Sequence, residues 1–239
     1  MSSTAQRPIR ILSANLCGGR ADGAAFAELL TRHKVDIAAL QELTSDAAQA
    51  VAGVLPYGRL DPAVAAKGMG IAMRLEGEVR TVPLPNCNAQ VAQLDPSHWD
   101  ILDRRLDVMN VHFSNPLRQP LWRTYAQRTE QRRVVEEWFA EPRGPRLVVG
   151  DFNASPAWPL YRRLSRRGND LMLTVARRNG LRPEPTWSPL WLGRRRLLRI
   201  DHALATDLSV QSAEVVYVGG SDHSAILFEL DPSLTPDCP

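Results

Sequence analysis

Short apolar segments recur along the 239-residue chain, rich in aliphatic and β-branched side chains and bounded by Gly, Pro, Asn or Asp. Segments of this length and composition are typical of β-strands. We predict strands at residues 9–12, 36–40, 70–73, 91–94, 106–113, 147–149, 200–205, 215–218 and 225–230.

Apolar residues with helical spacing predict helices at residues 24–32, 45–54, 121–139 and 156–167. The longest has apolar side chains, with polar residues between them, at Leu121, Trp122, Tyr125, Val134, Val135 and Trp138. The strands outnumber the helices, and several follow one another without a helix between. This order predicts an α/β protein with two packed sheets rather than a simple doubly wound sheet.

Polar residues able to bind a metal or move a proton stand at or beside the ends of five predicted strands. They are Asn15, Glu42, His112, Asp151 with Asn153, and the pair Asp222-His223 before the last strand. A sheet holds the side chains at its strand ends rigidly while the loops leave them accessible. We therefore expect these residues to form one site.

The acidic and amide side chains of this set are hard oxygen ligands. Asn15, Glu42, Asp151 and Asp222 suit Mg²⁺ or Mn²⁺, which prefer carboxylate, amide and water oxygens. The sequence has no HExxH motif and no clustered cysteines, which disfavours zinc. Taken alone, Glu42 could equally be a helix cap or a surface acid.

The segment Gly-Asp-Phe-Asn-Ala-Ser-Pro at 150–156 is the sharpest local motif. Asp151 and Asn153 share one face of an extended chain, so one could polarise a water while the other holds a metal or a phosphate oxygen. Ser155 and Pro156 predict the cap and first residue of the next helix. The alternative is an Asx-rich turn.

Two Asp-His pairs, Asp201-His202 and Asp222-His223, lie near the last strands, and His112 ends an earlier strand. Histidine can act as a general base at neutral pH, and a carboxylate partner fixes its tautomer. A single pair of this kind is often only a buried, hydrogen-bonded histidine. Their combination in a chain with five histidines favours a catalytic site.

Positive charge is concentrated between residues 162 and 199, where eleven arginines and two acids give a net charge of +9, against +3 for the whole chain. Such a segment indicates a polyanionic partner, for example nucleic acid, or simply an arginine-rich solvated face. The charge alone does not choose between these interpretations.

The sequence shows no secretory signal and no membrane-spanning apolar run. The odd and separated Cys17, Cys87 and Cys238 argue against a disulfide framework. We expect a monomeric cytoplasmic protein with a flexible N-terminus at 1–8, one domain at 9–231 and a C-terminal tail at 232–239.

The motifs, in their order and spacing, resemble those of the endonuclease/exonuclease/phosphatase superfamily nearly end to end. The matching segments are Asn15, Gln41-Glu42, Asn110-Val-His112, Arg128-x-x-Gln131, Gly150-Asp-Phe-Asn153, Thr186-Trp187, Arg199-Ile-Asp-His202 and Ser221-Asp-His223. The resemblance implies a deoxyribonuclease I-like fold, a four-layered α/β sandwich with two central, mostly antiparallel β-sheets.

The same resemblance implies a role for each site residue. Glu42 would be the principal Mg²⁺ ligand, assisted by Asn15 and Asp222. His223, oriented by Asp201, and Asp151 are the candidates for the base or water activator. His112 and Asn153 would hold the scissile phosphate, while Arg128 and Gln131 would brace the site.

The leading functional hypothesis is a Mg²⁺-dependent phosphodiesterase acting on DNA or RNA, with Mn²⁺ as a second candidate metal. The alternatives are a phosphomonoesterase, a sphingomyelinase-like or inositol phosphate phosphoesterase, or a binding module that has kept the fold. Phe113 stands near the place where abasic-site endonucleases carry a Tyr, which disfavours that subtype.

Overall fold

The computed structural model describes residues 8–64, 66–100, 102–141 and 144–231. The predicted N-terminal segment, apart from residue 8, and the predicted tail lie outside these residues. The strands are β1 (Ile9–Asn15), β2 (Ile37–Gln41), β3 (Tyr57–Asp61), β4 (Met69–Met73), β5 (Glu78–Val82), β6 (Ala89–Leu94), β7 (Leu106–His112), β8 (Arg146–Asp151), β9 (Asn169–Asp170), β10 (Asp201–Thr206), β11 (Val210–Tyr217) and β12 (Ser224–Leu230). The helices are α1 (Gly23–Arg32), α2 (Ser45–Ala52), α3 (Leu121–Ala140), α4 (Pro159–Leu164) and α5 (Leu171–Arg178), with 3₁₀ turns at Cys17–Gly19 and Leu190–Leu192.

The strands form two six-stranded sheets. The first has the order β11-β12-β1-β2-β4-β3, and the second has the order β5-β6-β7-β8-β10-β9. Each sheet contains one parallel pair, β1–β2 or β7–β8, and all its other pairings are antiparallel. A parallel pair needs a crossover, which is supplied by α1 in the first sheet and α3 in the second. The predicted architecture of two mostly antiparallel sheets is confirmed.

Burial on both faces of each sheet produces four layers. Ile11 and Ile37 of the first sheet belong to the same buried cluster as Val108 and Leu147 of the second, so this core lies between the sheets. The other face of the first sheet packs against α1 and α2, and the other face of the second packs against α3 and α4. The layer order is therefore helix, sheet, sheet, helix.

Four elements were not predicted from the sequence: β3, β5, β9 and α5. β3 and β5 are edge strands with mainly exposed or half-exposed side chains, so they contain no long apolar run. The predicted helix at 156–167 is also too long. The Trp158 N–H donates to the carbonyl of Ser155 in a preceding turn, and the helix begins at Pro159 rather than at Pro156.

The apolar pattern of α3 only partly corresponds to a buried face. Val135 and Trp138 are buried as expected. In contrast, Leu121, Trp122 and Tyr125 at the start of the helix are 51%, 74% and 76% exposed. Among the residues described, no helix combines the length and apolar character that crossing a membrane would require.

Candidate active site

The site lies where the carboxyl ends of the two parallel strand pairs meet. β1 and β2 end at Asn15 and Gln41, while β7 and β8 end at His112 and Asp151. In register, His112 stands opposite Asp151, which stands opposite Asp201 on β10. Asn15 Nδ2 donates to Asp151 Oδ2 over 3.1 Å, and this buried hydrogen bond connects the two sheets.

These strand ends surround a pocket of about 440 Å³. Six of the eight predicted site residues line it: Glu42, His112, Asp151, Asn153, Asp222 and His223. Asn15 and Asp201 are each 1% exposed and are hydrogen-bonded to residues of the pocket wall. All eight predicted residues therefore come together, six at the surface of the pocket and two behind it.

Asp151 is held by the backbone on either side of it. At Gly150, with φ of 137°, a Cβ atom would lie only 1.9 Å from the carbonyl oxygen of Val111. This close approach requires glycine. Asn153, with φ of +46°, donates its backbone N–H to Asp151 Oδ1 over 2.7 Å and its amide Nδ2 to Asp151 Oδ2 over 3.0 Å. Burial raises the pKa of Asp151, but His223, His112 and the Asn153 N–H outweigh it and lower the pKa to about 2.

His223 is held from behind by Asp201. The imidazole Nδ1 lies 2.9 Å from Asp201 Oδ2, and Thr186 Oγ1 donates to the same oxygen over 2.6 Å. Burial lowers the pKa of His223, but Asp201 and Asp151 together raise it to about 9. The sequence motif contained Thr186, but no role was predicted for it. Its contact with Asp201 shows that it supports the imidazole indirectly.

His112 lies between two carboxylates. Its Nε2 is 3.4 Å from Asp151 Oδ2 and 3.8 Å from Glu42 Oε1. Burial lowers the pKa of His112, but the neighbouring Asp151 and Cys87 raise it to about 10. The site therefore combines carboxylate acceptors with imidazole donors, which suits it to an anionic substrate.

The oxygen-rich side of the pocket contains the predicted metal ligands. Glu42 Oε1 accepts a hydrogen bond from Asn15 Nδ2 over 3.2 Å, and Asp222 Oδ2 accepts one from Trp187 Nε1 over 2.9 Å. The Asn15 amide oxygen accepts from the Cys17 N–H over 2.9 Å. Asn15 thus presents its nitrogen to the carboxylates, and a ligand role would require the amide to turn.

Two other features of the site bear on metal binding. Burial and the neighbouring Asp222 raise the pKa of Cys17 to about 12, which leaves it a neutral thiol beside the carboxylates. The ligand atoms of Asp151, Asp201 and His223 also lie within 4.8 Å of one another, a spacing compatible with a metal ion. In that cluster, however, His223 Nδ1 is already hydrogen-bonded to Asp201. Its geometry therefore suits orientation of the imidazole better than metal binding.

Residues outside the pocket brace its walls. Arg128 donates to the carbonyl oxygens of Ser114, Phe152 and Asn153, and Gln131 Oε1 accepts from the Ser114 N–H over 3.0 Å. These contacts agree with the bracing role expected for Arg128 and Gln131. Three arginines of the 162–199 segment are also structural: Arg178 bonds to carbonyls of β11, Arg196 to the 221–224 backbone and Arg199 to Asp170. The other eight arginines of the segment are exposed.

The fold and the site define a hydrolase of phosphate esters. The model of the Endonuclease/Exonuclease/phosphatase family matches residues 12–223, and the chain belongs to this family. Members of this family are typically metal-dependent. No curated protein sequence shows a significant match to the chain.

Solved structures show the same fold. An endonuclease/exonuclease/phosphatase from Beutenbergia cavernae has a TM-score of 0.72 at 19% identity, over 98% of this chain and 74% of that one. The 3′ phosphatase NExo from Neisseria, bound to product DNA hairpin, has a TM-score of 0.73 at 19% identity, and the match covers 93% of this chain and 99% of that one. D. rerio TDP2, complexed with single strand DNA product, has a TM-score of 0.69 at 16% identity, and the match covers 94% of this chain and 99% of that one.

Proposed function

We propose that the chain is a Mg²⁺-dependent phosphodiesterase that cleaves DNA or RNA. The observation that carries the proposal is the convergence of Asp151, His112 and His223 on one pocket, with Asp201 behind His223. Phosphoryl transfer is catalysed mainly by positioning and by fixed groups placed where negative charge develops. The DNA products bound to two of the similar structures support nucleic acid as the substrate.

The contacts of the site residues support a separate catalytic role for each. His223 is fixed by Asp201 at Nδ1, so it can hold or transfer a proton at Nε2, which lies 3.8 Å from Asp151 Oδ2. Asp151 would accept a hydrogen bond from the attacking water and orient it. His112 and Asn153 would bind the oxygens of the scissile phosphate.

The donor set of the pocket fits a hard divalent cation. Glu42 and Asp222 offer carboxylate oxygens, and Cys17 beside them is a neutral thiol. We propose that Glu42 and Asp222, with Asn15 once its amide oxygen has turned toward them, would hold Mg²⁺, or Mn²⁺ in its place. When bound, the ion would neutralise charge on the phosphate and help to orient it.

The pocket favours an extended substrate over a small phosphate ester because it continues into a neighbouring groove along Pro116 and Trp158. A substrate chain could therefore extend beyond the reacting group. The exposed arginines of the 162–199 segment add positive charge that suits a nucleic-acid backbone. The cytoplasmic location and the monomeric state expected from the sequence stay predictions.

Hydrolysis assays with Mg²⁺, Mn²⁺ or EDTA test the proposal. The substrates are single- and double-stranded DNA, RNA, a 5′-phosphotyrosyl oligonucleotide, a sphingomyelin analogue and inositol phosphates. We expect Mg²⁺-dependent cleavage of DNA or RNA that EDTA abolishes, and loss of this cleavage in Asp151→Asn and His223→Ala. Turnover of only the lipid or the phosphomonoesters would instead establish the alternative activity.

A further inference from the structure

A second concave surface adjoins the site pocket. This groove, of about 540 Å³, lies between the first turns of α3 and the start of α4. Its walls include Tyr125, Trp158 and Arg163, and Arg128 also lines it. Pro116 and Trp158 line both the groove and the site pocket, so a ligand could pass from one to the other.

The two aromatic rings in the groove are available for stacking. The Tyr125 side chain is 76% exposed and that of Trp158 is 40% exposed. Within the described part of the chain, neither ring packs on another aromatic ring or on a guanidinium group. Exposed aromatic side chains in a basic groove are the usual platform for single-stranded nucleic acid.

The charges around the groove complement a polyanion. Arg163 is exposed and makes no ion pair with any residue that the structure describes. Arg128 donates to the carbonyls of Phe152 and Asn153 over 3.4 and 3.2 Å, which connects the groove to the motif that carries Asp151. Arg132, in contrast, is already paired with Glu136. Arg163 is therefore the groove arginine best placed to contact a phosphate.

We propose that this groove binds unpaired nucleotides adjoining the scissile phosphate, with their bases stacked on Tyr125 and Trp158 and a backbone phosphate beside Arg163. This inference rests on the proposed nuclease function and adds that the substrate is single-stranded at that point. In a duplex the bases stack on one another, so their faces are not free to meet these rings. A lipid surface is the weaker interpretation because the two rings line a concave groove that a flat bilayer would not fill.

Kinetics with three substrates test the groove in the Mg²⁺-loaded protein. The substrates are a single-stranded oligonucleotide, its blunt duplex and bis(p-nitrophenyl) phosphate, a small diester that does not need the groove. In Tyr125→Ala we expect the ratio of oligonucleotide to small-diester kcat/KM to fall on the order of tenfold, since alanine substitution removes one stacking platform. Tyr125→Phe should preserve the ratio. The matched control is Trp122→Ala, which removes an exposed ring of the same helix that does not line the groove and should leave both activities unchanged.

Binding in EDTA separates the groove from the chemistry. Fluorescence anisotropy of a labelled single strand should show weaker binding to Tyr125→Ala than to Tyr125→Phe or Trp122→Ala. The slope of the logarithm of the binding constant against the logarithm of the salt concentration should become shallower by about 0.7 in Arg163→Ala. The control is Arg166→Ala, which changes an exposed arginine outside the groove and should leave the slope unchanged.

The outcomes distinguish the two proposals. Equal binding of the single strand by the wild-type protein and Tyr125→Ala would overturn the proposal that the groove binds nucleotides, even if the protein is a nuclease. Absence of diester hydrolysis by the wild-type protein would overturn the proposed function. The anisotropy measurement would still show whether the groove binds single-stranded nucleic acid. The groove would instead be assigned to a lipid surface by two results together. The wild-type protein would float with phosphatidylcholine vesicles, and Tyr125→Ala would lose this binding while still binding the single strand as the wild type does.

Discussion

The imidazole Nδ1 of His223 and the carboxylate Oδ2 of Asp201 lie 2.9 Å apart in a buried hydrogen bond. Thr186 Oγ1 donates to the same oxygen and is itself held by the backbone N–H groups of Ile200 and Asp201, each over 3.2 Å. The carboxylate therefore has little freedom to rotate, and it fixes which nitrogen of His223 faces the pocket.

Asp201→Asn should lower kcat for a small phosphodiester by roughly 10²- to 10⁴-fold, the range that a positioned acid–base group contributes. The amide can present its NH₂ group to Nδ1, which favours the wrong tautomer, while the substrate pocket is left almost intact. KM should therefore change little. Steady-state kinetics at several pH values measure both the loss of kcat and a change in the pH profile, which a purely structural defect would not produce.

Thr186 provides the matched control for this prediction. Thr186→Ser keeps the hydroxyl that donates to Asp201 and should retain most of the activity. Thr186→Val removes the hydroxyl and should lower kcat about tenfold, less than loss of the carboxylate itself. Full activity in Asp201→Asn would show that Asp201 does not orient His223 for catalysis.

Removing the carboxylate charge of Glu42 should weaken metal-dependent activity. Glu42→Gln keeps the size of the side chain but removes the charge that a hard cation prefers. We expect the Mg²⁺ concentration for half-maximal activity to rise on the order of tenfold or more, measured by titration of the metal-free protein. Asp46→Asn, a change of an exposed acid in α2, should leave the Mg²⁺ requirement unchanged. An unaltered Mg²⁺ requirement in Glu42→Gln would exclude Glu42 as the principal ligand.

The fold was predictable where burial leaves a pattern in the sequence. β1, β2, β7 and β8 are buried along most of their length, so their apolar runs are visible, and the polar residues that end them stand out. β3 and β5 are edge strands with few buried side chains and gave no such run. α5 is short and lies within the arginine-rich segment, where charge obscured its apolar residues Leu171, Met172 and Val175.

Site residues at strand ends were easier to predict than the residues that support them. The support that Thr186 gives Asp201 depends on a contact between separate parts of the chain. The same is true of the hydrogen bond from Asn15, a predicted residue, to Asp151, which lies 136 residues away. Likewise, Leu121, Trp122 and Tyr125 fit a buried helical face in the sequence pattern, but they are exposed. Periodicity shows that side chains share a face, and only the fold shows whether that face is covered.

Arg196 should act as a positioning residue for the segment that carries Asp222 and His223. Its Nη2 donates to the carbonyls of Ser221 and His223 over 3.1 and 3.0 Å, and its Nε donates to Ser224 Oγ over 2.9 Å. Arg196→Lys loses this forked geometry although it keeps the charge. We expect kcat to fall about tenfold and the Mg²⁺ requirement to rise in Arg196→Lys.

The neighbouring Arg195 is the control for this change, since its side chain is exposed and makes no ion pair within the described residues. Arg195→Ala should match the wild-type protein with a small diester. Equal kinetics of Arg196→Lys and Arg195→Ala, including an equal Mg²⁺ requirement, would show that Arg196 contributes only charge.

The stability of the fold at acid pH should depend on Asp170. This buried carboxylate accepts hydrogen bonds from Arg199 Nη1 and the Tyr161 hydroxyl, each over 2.6 Å. Burial raises the pKa of Asp170, but His202, Arg199 and Tyr161 outweigh it and hold the pKa well below its usual range. A carboxyl group with a lowered folded-state pKa stabilises the fold fully above its unfolded value, about 3.9, and this contribution is lost as the pH falls toward the folded-state pKa.

Asp170→Asn should therefore destabilise the protein at pH 7 by about 3–5 kcal/mol, because the buried Arg199 loses the negative charge that compensates its own. The difference in the free energy of unfolding between wild type and variant should narrow below about pH 4, where the wild-type carboxylate begins to be protonated in the unfolded chain. Urea unfolding at pH 7 and at pH 3 measures both values. The control is Asp103→Asn, which changes a half-exposed carboxylate and should show neither effect. If the difference in the free energy of unfolding between wild type and Asp170→Asn is the same at both pH values, the proposed link between Asp170 protonation and stability is wrong.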